Sequence, residues 1–153
     1  DEEKDERIIV AESRTSRNAA CRRHRHRHRH SHVKFHLSQG EGHMVTGVGP
    51  GWVRVGADEY RASLILTPDA IVTPWAGTFE ALGDADFERV RALEPAIVLL
   101  GTGARQRFPH PRVYQVLIAA GIGVEVMDSS AAARTYNIIA AEGRRVAAAL
   151  ILP

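Results

Sequence analysis

Residues able to hold an anion or a partner gather in two places. The first is Gly101-Thr102-Gly103-Ala104-Arg105-Gln106-Arg107, directly after the apolar run Ile97–Leu100. Glycines let a backbone come close to a partner, free N–H groups can hold an anion, and two guanidiniums can add bidentate contacts. The second is Asp128-Ser129-Ser130, with Arg134 and Asn137 behind it. Ser130, Arg134 and Asn137 fall at i, i+4 and i+7 and share one helix face. Helical side chains lean toward the N-terminus, which would carry Arg134 back to a rim formed by Thr102 and Asp128. The expected crevice comprises Gly101, Thr102, Gly103, Arg105, Arg107, Asp128, Ser130, Arg134 and Asn137, for a small anion or a protein partner. The same glycines could equally make only a tight strand exit, with Asp128 capping a helix or pairing with Arg134 and Tyr136 in the core.

Several chemistries lack their parts. The glycines do not complete G-x-G-x-x-G, because Gln106 stands where the third would fall, and no Lys-Ser/Thr pair follows for a phosphate loop. Beyond Val33 there is no cysteine, and the histidines are His36, His43 and His110. A nucleophile needs a nearby base. Ser129 or Ser130 with His110 would be such a pair, but no nucleophile-elbow motif accompanies it. No catalytic residue is assigned, and no cofactor is expected. Asp84, Asp86 and Glu88 read as charges favouring a helix N-terminus rather than as metal ligands. Metal candidates are confined to HRHRHRHRHSH, where His24, His26, His28, His30 and His32 alternate with arginine and serine. An extended chain would put these imidazoles on one side, able to hold Zn²⁺ or Ni²⁺ loosely, while the arginines oppose a cation.

The elements that must position the two clusters follow from period and punctuation. Val45–Val48 and Trp52–Val55 are short β-type runs around Gly49-Pro50-Gly51. Ser63–Thr67 and Ala70–Thr73 follow around Pro68-Asp69, giving a β-rich opening layer. Asp84 is the expected cap of a helix carrying Phe87, Val90 and Leu93, which Pro95 stops. Ile97–Leu100 reads as a strand buried on both faces. Pro111 opens a helix through Ala120, Gly123–Met127 is the next strand, and Ser129 or Ser130 caps a helix through Glu142. Val146–Leu152 closes the series. Strand, helix, strand, helix, strand implies an α/β domain with a right-handed parallel crossover. The carboxyl ends of such strands, where α/β proteins usually hold ligands, would bring both clusters to one edge.

Charge divides the 153 residues in two. Residues 1–32 hold 9 Lys/Arg against 6 Asp/Glu, and residues 33–153 hold 11 against 12. Residues 1–32 are therefore expected to be a disordered His/Arg-rich leader, and residues 33–153 one α/β domain. The domain lacks the basic face that nucleic acid needs, while the leader's arginines could meet nucleic acid or an anionic surface. A single cysteine, Cys21, suits a reducing compartment, and no apolar run reaches bilayer-spanning length. A cytoplasmic location is expected.

An ordered set of motifs carries a family resemblance. Val33-Lys34-Phe35-His36-Leu37, Val45-Thr46-Gly47, Ser63-Leu64-Ile65-Leu66-Thr67-Pro68, Pro74-Trp75, Leu99-Leu100-Gly101-Thr102-Gly103, Gly121-Ile122-Gly123-Val124-Glu125-Val126-Met127-Asp128 and Ala133-Arg134-Thr135-Tyr136-Asn137 through Glu142-Gly143-Arg144-Arg145-Val146 occur in that order. Over about Val33 to Leu152 the chain resembles the bacterial branch of the small Mth-type domain family, once filed as a domain of unknown function. That family includes mitochondrial complex I assembly factor 3 and the adipogenesis-associated Mth-domain protein. The resemblance implies a three-layer α/β fold with a mixed central sheet and no established catalysis in bacterial members. Its mitochondrial relatives bind other proteins during assembly of respiratory complex I. It also places characteristic residues on Gly101, Thr102, Gly103, Arg105, Asp128, Arg134, Tyr136 and Asn137. Family members commonly start near a segment like Val33–Leu37, so translation from a valine codon at Val33 is an expectation. The expected function is a non-enzymatic binding or assembly protein, whose partner surface Trp52 or Trp75 could help to form, although core packing is the commoner place for either. The alternative is a small-anion binder or enzyme using the glycine loop and the arginines.

Overall fold

The structure is a computed structural model that describes residues 8–10 and 42–153. The His/Arg run, Val33–Leu37 and the remainder of the expected leader lie outside the described residues, apart from a strand at Ile8–Val10 (β1).

Five strands make a mixed central sheet: β5 (Leu64–Leu66), β6 (Ala70–Val72), β7 (Ile97–Thr102), β8 (Gly123–Met127) and β9 (Val146–Ile151). Their order is β6-β5-β9-β7-β8, with β1 antiparallel to β6 at the outer edge. β7 is parallel to both neighbours, and β5 runs antiparallel to β9. The β-rich opening divides. β5 and β6 join this sheet, while β2 (Val45–Gly49), β3 (Trp52–Val55) and β4 (Asp58–Tyr60) form a separate antiparallel three-stranded sheet.

Strand alternation sorts the core into two halves. Leu64, Leu66, Leu99, Ala148 and Leu150 face α3 (Ser129–Ala141) and the small sheet, meeting Ala132, Ala133, Tyr136, Val53 and Val55. Ile65, Val98, Leu100, Ala147, Ala149 and Ile151 face the other way, onto Trp75, Phe87, Val90 and Leu117. Phe87 and Val90 belong to α1 (Asp84–Arg91), and Leu117 to α2 (Gln115–Ala119). The result is three layers. β9 is buried at every position, and its three alanines leave room for close helix approach from both sides.

The sheet geometry follows from connection order. From β7 the chain steps outward to β8 through α2, then back past β7 to β9 through α3. Right-handed crossovers in opposite directions put their helices on opposite faces, and α2 and α3 do lie in different core halves. The β7–β8 carboxyl edge is thus the point at which the chain leaves the sheet toward both faces.

Some caps differ from the expected ones. Gly83, not Asp84, is the cap residue of α1, and Asp86 Oδ2 accepts from Gly83 N at 3.0 Å. For α3 the structure takes the Asp128 alternative over Ser129 or Ser130, with Asp128 Oδ1 accepting from Ala131 N at 2.8 Å. A carboxylate one residue earlier wins the cap, so neither serine side chain is needed for it. The Pro111 segment begins as a 3₁₀ turn, Pro111–Tyr114, before α2.

Candidate functional site

Register places the two strand ends side by side: Gly101 lies opposite Met127. Gly101 has no space for a side chain, since a Cβ there would stand 2.9 Å from Ser129 Cα and 2.8 Å from Leu150 Cδ2. Ser129 sits in that gap, buried, and closes the loop. Its Oγ donates to Ile151 O and accepts from Gly103 N at 2.9 Å, while Ser129 N donates to Gly103 O at 2.9 Å. Gly103 adopts φ 100°, a conformation that side chains disfavour.

Thr102 ties the rest of the loop down. Its buried Oγ1 accepts from Arg107 N at 2.9 Å and shares its proton between Arg105 O at 2.8 Å and Met127 O at 3.2 Å. Arg107 folds back rather than outward. Its guanidinium stacks 4.2 Å over Phe79, with Nη1 donating to Glu80 Oε1 at 2.6 Å and Nη2 to Thr102 O at 3.3 Å. Glu80 is held below the ordinary carboxylate pKa, first by its own backbone N–H and then by Arg107. Gln106 Nε2 donates to Val126 O at 2.9 Å. Arg105 points into solvent.

Ser130, Arg134 and Asn137 do not join this knot. They line a separate open hollow of about 240 Å³ with Val45, Thr46, Gly47, Val48 and Ala133, between α3 and the small sheet. Arg134 thus lines a different wall from the one expected, because β2 covers its helix face. Asn137 holds that strand in place: Oδ1 accepts from Val45 N at 2.9 Å and Nδ2 donates to Val45 O at 2.7 Å. Tyr136 is buried beside it and donates to His43 O at 2.7 Å. Burial, and secondarily the Asp69 charge, pushes its phenol well above the ordinary range.

Of the nine residues expected to share one crevice, Gly101, Thr102, Gly103 and Arg107 form the knot, with Asp128 capping next door. Three face the hollow, and Arg105 gives the knot its carbonyl while its side chain stands outside both. The residue that sequence reasoning assigned no such part is Ser129. Three consecutive polar residues before a helix do not reveal which caps it and which turns inward.

The serine–histidine pair does not form. Ser129 gives its proton to Ile151 O, and His110 Nδ1 accepts from Arg112 N at 3.2 Å. Among the described residues no group of three or more His, Cys, Asp or Glu side chains could hold a metal, and no helix is long and apolar enough to cross a membrane. Trp75 is buried, its Nε1 donating to Asp86 O at 3.0 Å. Trp52 is half-buried and lies over Gly47 and Gly49, with Arg54 5.3 Å from its ring. Neither tryptophan is a free aromatic; Phe108 is, at 76% exposure on the loop that follows the knot.

This three-layer arrangement is the Mth938-like α/β fold. A solution structure from Bordetella pertussis with that domain matches at TM-score 0.61 and 30% identity, covering 78% of this chain and 92% of the other. A crystal structure from Bordetella parapertussis matches at TM-score 0.70 and 35% identity, covering 75% and 99%. Residues 45–151 match the family described as protein of unknown function (DUF498/DUF598), and the chain belongs to that family. An uncharacterised protein of Rhodobacter capsulatus is 38% identical over 109 residues, covering 70% of this chain and 82% of that protein. Mouse NADH dehydrogenase [ubiquinone] 1 alpha subcomplex assembly factor 3 is 37% identical over 91 residues, 58% of this chain. The chain spans about half the length of that assembly factor, 49%.

Proposed function

We propose that this chain is a non-enzymatic, cytoplasmic protein-binding domain that assists assembly of a larger complex, as its mitochondrial relatives' name describes for them. The observation that carries this reading is the pairing of an exposed aromatic with a carboxyl edge whose buried side-chain polar atoms, Arg107 Nε apart, are bonded internally. Where α/β enzymes keep free polar groups, Gly103 and Ser129 bond each other, and the Thr102 hydroxyl is spent on Arg105 O, Met127 O and Arg107 N. Phe108 stands exposed between that knot and Pro109, and aromatics are frequent interface anchors. Affinity purification from the native host tests it. A stable partner is expected, and Phe108→Ala should weaken its capture by at least about tenfold. Recovery of no stable partner defeats the reading.

One observation favours a second reading, a small anionic ligand. The Arg134 hollow carries an exposed guanidinium and the Ser130 hydroxyl over walls of Val45, Val48 and Ala133. A ligand there would raise the melting temperature as RT ln(1 + [L]/Kd). Phosphates, nucleotides and short carboxylates would be screened, with Arg134→Ala expected to abolish any shift. A shift that survives Arg134→Ala places the ligand elsewhere.

A further inference from the structure

We infer that the hollow between α3 and β2 takes the C-terminal carboxylate of a partner protein, with the partner's last residues laid along the outer edge of β2. This rests on the anion reading of the Arg134 hollow and names the ligand as a chain end. β2 ends the order of the small sheet, and among the described residues no strand pairs with its outer side. Gly49 and Trp52 flank the two-residue turn Pro50-Gly51 and so form a hydrogen-bonded pair. Antiparallel pairs alternate, so at the next pair, Val48↔Val53, the Val48 N–H and C=O point away from β3. Past the bulge between Val45 and Gly47, Val45 points outward too, and there both its main-chain groups are taken by Asn137. Val45 N donates to Oδ1 at 2.9 Å, and Nδ2 donates to Val45 O at 2.7 Å. A carboxamide that accepts and donates one bond each at the same residue stands where a neighbouring strand would.

That amide decides what can fill the rest of the edge. A strand bonded to Val48 cannot run on past Val45, so the occupant is a chain end rather than a continuous strand. Arg134, one turn back along α3 from Asn137, lines the hollow beside Val48, with Ser130 a further turn back. Arg134 is exposed and is the one charged residue of the lining among the described residues. Asp128, the acid nearest to it in sequence, is spent on the α3 cap and lies outside that lining. A guanidinium binds a carboxylate and repels an ammonium, so the end is the C-terminus. Val45, Val48 and Ala133 give the hollow apolar walls, and its volume of about 240 Å³ suits a small apolar last side chain. Main-chain bonding to an edge and capture of a terminal carboxylate are both recurring modes of peptide recognition. Other occupants fit less well. A second copy pairing through β2 meets the same block at Val45. Pro153 O accepts from Gly51 N at 2.9 Å and is held at the hairpin turn, outside the lining.

A random-peptide library displayed with free C-termini and panned on the full chain tests this. Enriched peptides are expected to end in small apolar residues. The best of them, made as the free acid, should outbind its own C-terminal amide at least about tenfold, and Arg134→Gln should erase that difference. The same peptide extended by one Asp and amidated carries a carboxylate but no free chain end, and should bind no better than the plain amide. On the native chain the acid should slow amide exchange at Val48 and leave Val45, already held by Asn137, unchanged. The inference is overturned by no binder, by an acid no better than its amide, or by an acid preference that survives Arg134→Gln. An Asp-ended amide as tight as the acid, or protection away from Val48, overturns it too. If phosphate or acetate raises the melting temperature through Arg134 while peptide acids fail, the anion reading stands and only this inference falls.

Discussion

The β7–β8 strand ends and the face of α3 under β2 both carry hydroxyl and arginine side chains, yet they are put to opposite uses. At the strand ends the polar groups close on one another: Ser129 serves Gly103 and Ile151, Thr102 serves the loop, and Arg107 folds onto Phe79 and Glu80. Under β2 only Asn137 is consumed, while Arg134 stays at the surface of a hollow. The difference lies in backbone demand. A strand exit between two departing helices leaves many buried main-chain groups, and nearby side chains are drafted to satisfy them. The helix face meets only the Val45 N–H and C=O, which Asn137 takes, so its cation remains available.

That contrast sets an order of mutational effects. Gly101→Ala should be the most damaging, because its methyl meets the Ser129 backbone at 2.9 Å; a loss of about 3 kcal/mol is expected by thermal or denaturant unfolding. Ser129→Ala strips Gly103 N and Ile151 O of their partner in a buried setting and should cost about 2 kcal/mol. Asn137→Ala, which releases Val45 at a half-buried site, should cost about 1 kcal/mol and speed exchange at the Val45 amide. Equal losses from Ser129→Ala and Arg134→Ala would erase the contrast; Arg134→Ala should stay within about 0.5 kcal/mol.

The smallest effect belongs to the exposed Arg107–Glu80 pair, and it is a matter of pH. The folded Glu80 carboxyl titrates below 4.5, its ordinary value, so the unfolded chain binds that proton more readily. Its contribution is complete above pH 4.5 and is lost as pH falls through the lower folded value. The stability difference between native chain and Glu80→Gln should therefore shrink on acidification below 4.5. A difference that grows there would contradict the pairing.

Much of the fold was legible because buried strands announce themselves. Trp52–Val55 and Gly123–Met127 carry the bounds their patterns predict, and alternation along Val146–Ile151 separates the two core halves. β4 was not legible: Asp58 and Glu59 are exposed polar residues, and the strand exists through its pairing with β3. The site was half legible. Spacing put Ser130, Arg134 and Asn137 on one face, and the strand ends together. What covers that face is a tertiary fact, since β2 arrives from about ninety residues earlier in the chain. Likewise, the choice among Asp128, Ser129 and Ser130 for the cap was settled by where Ile151 O and Gly103 N sit, which no local pattern encodes.

Amide hydrogen exchange at Gly103 tests most directly whether the carboxyl edge is closed upon itself. With its N–H held by a buried serine hydroxyl, Gly103 is expected to exchange as slowly as the neighbouring β7 core and to lose that protection in Ser129→Ala. Exchange at the rate of an open glycine turn in the native chain would contradict it, and would return the loop to the role of a free anion cradle.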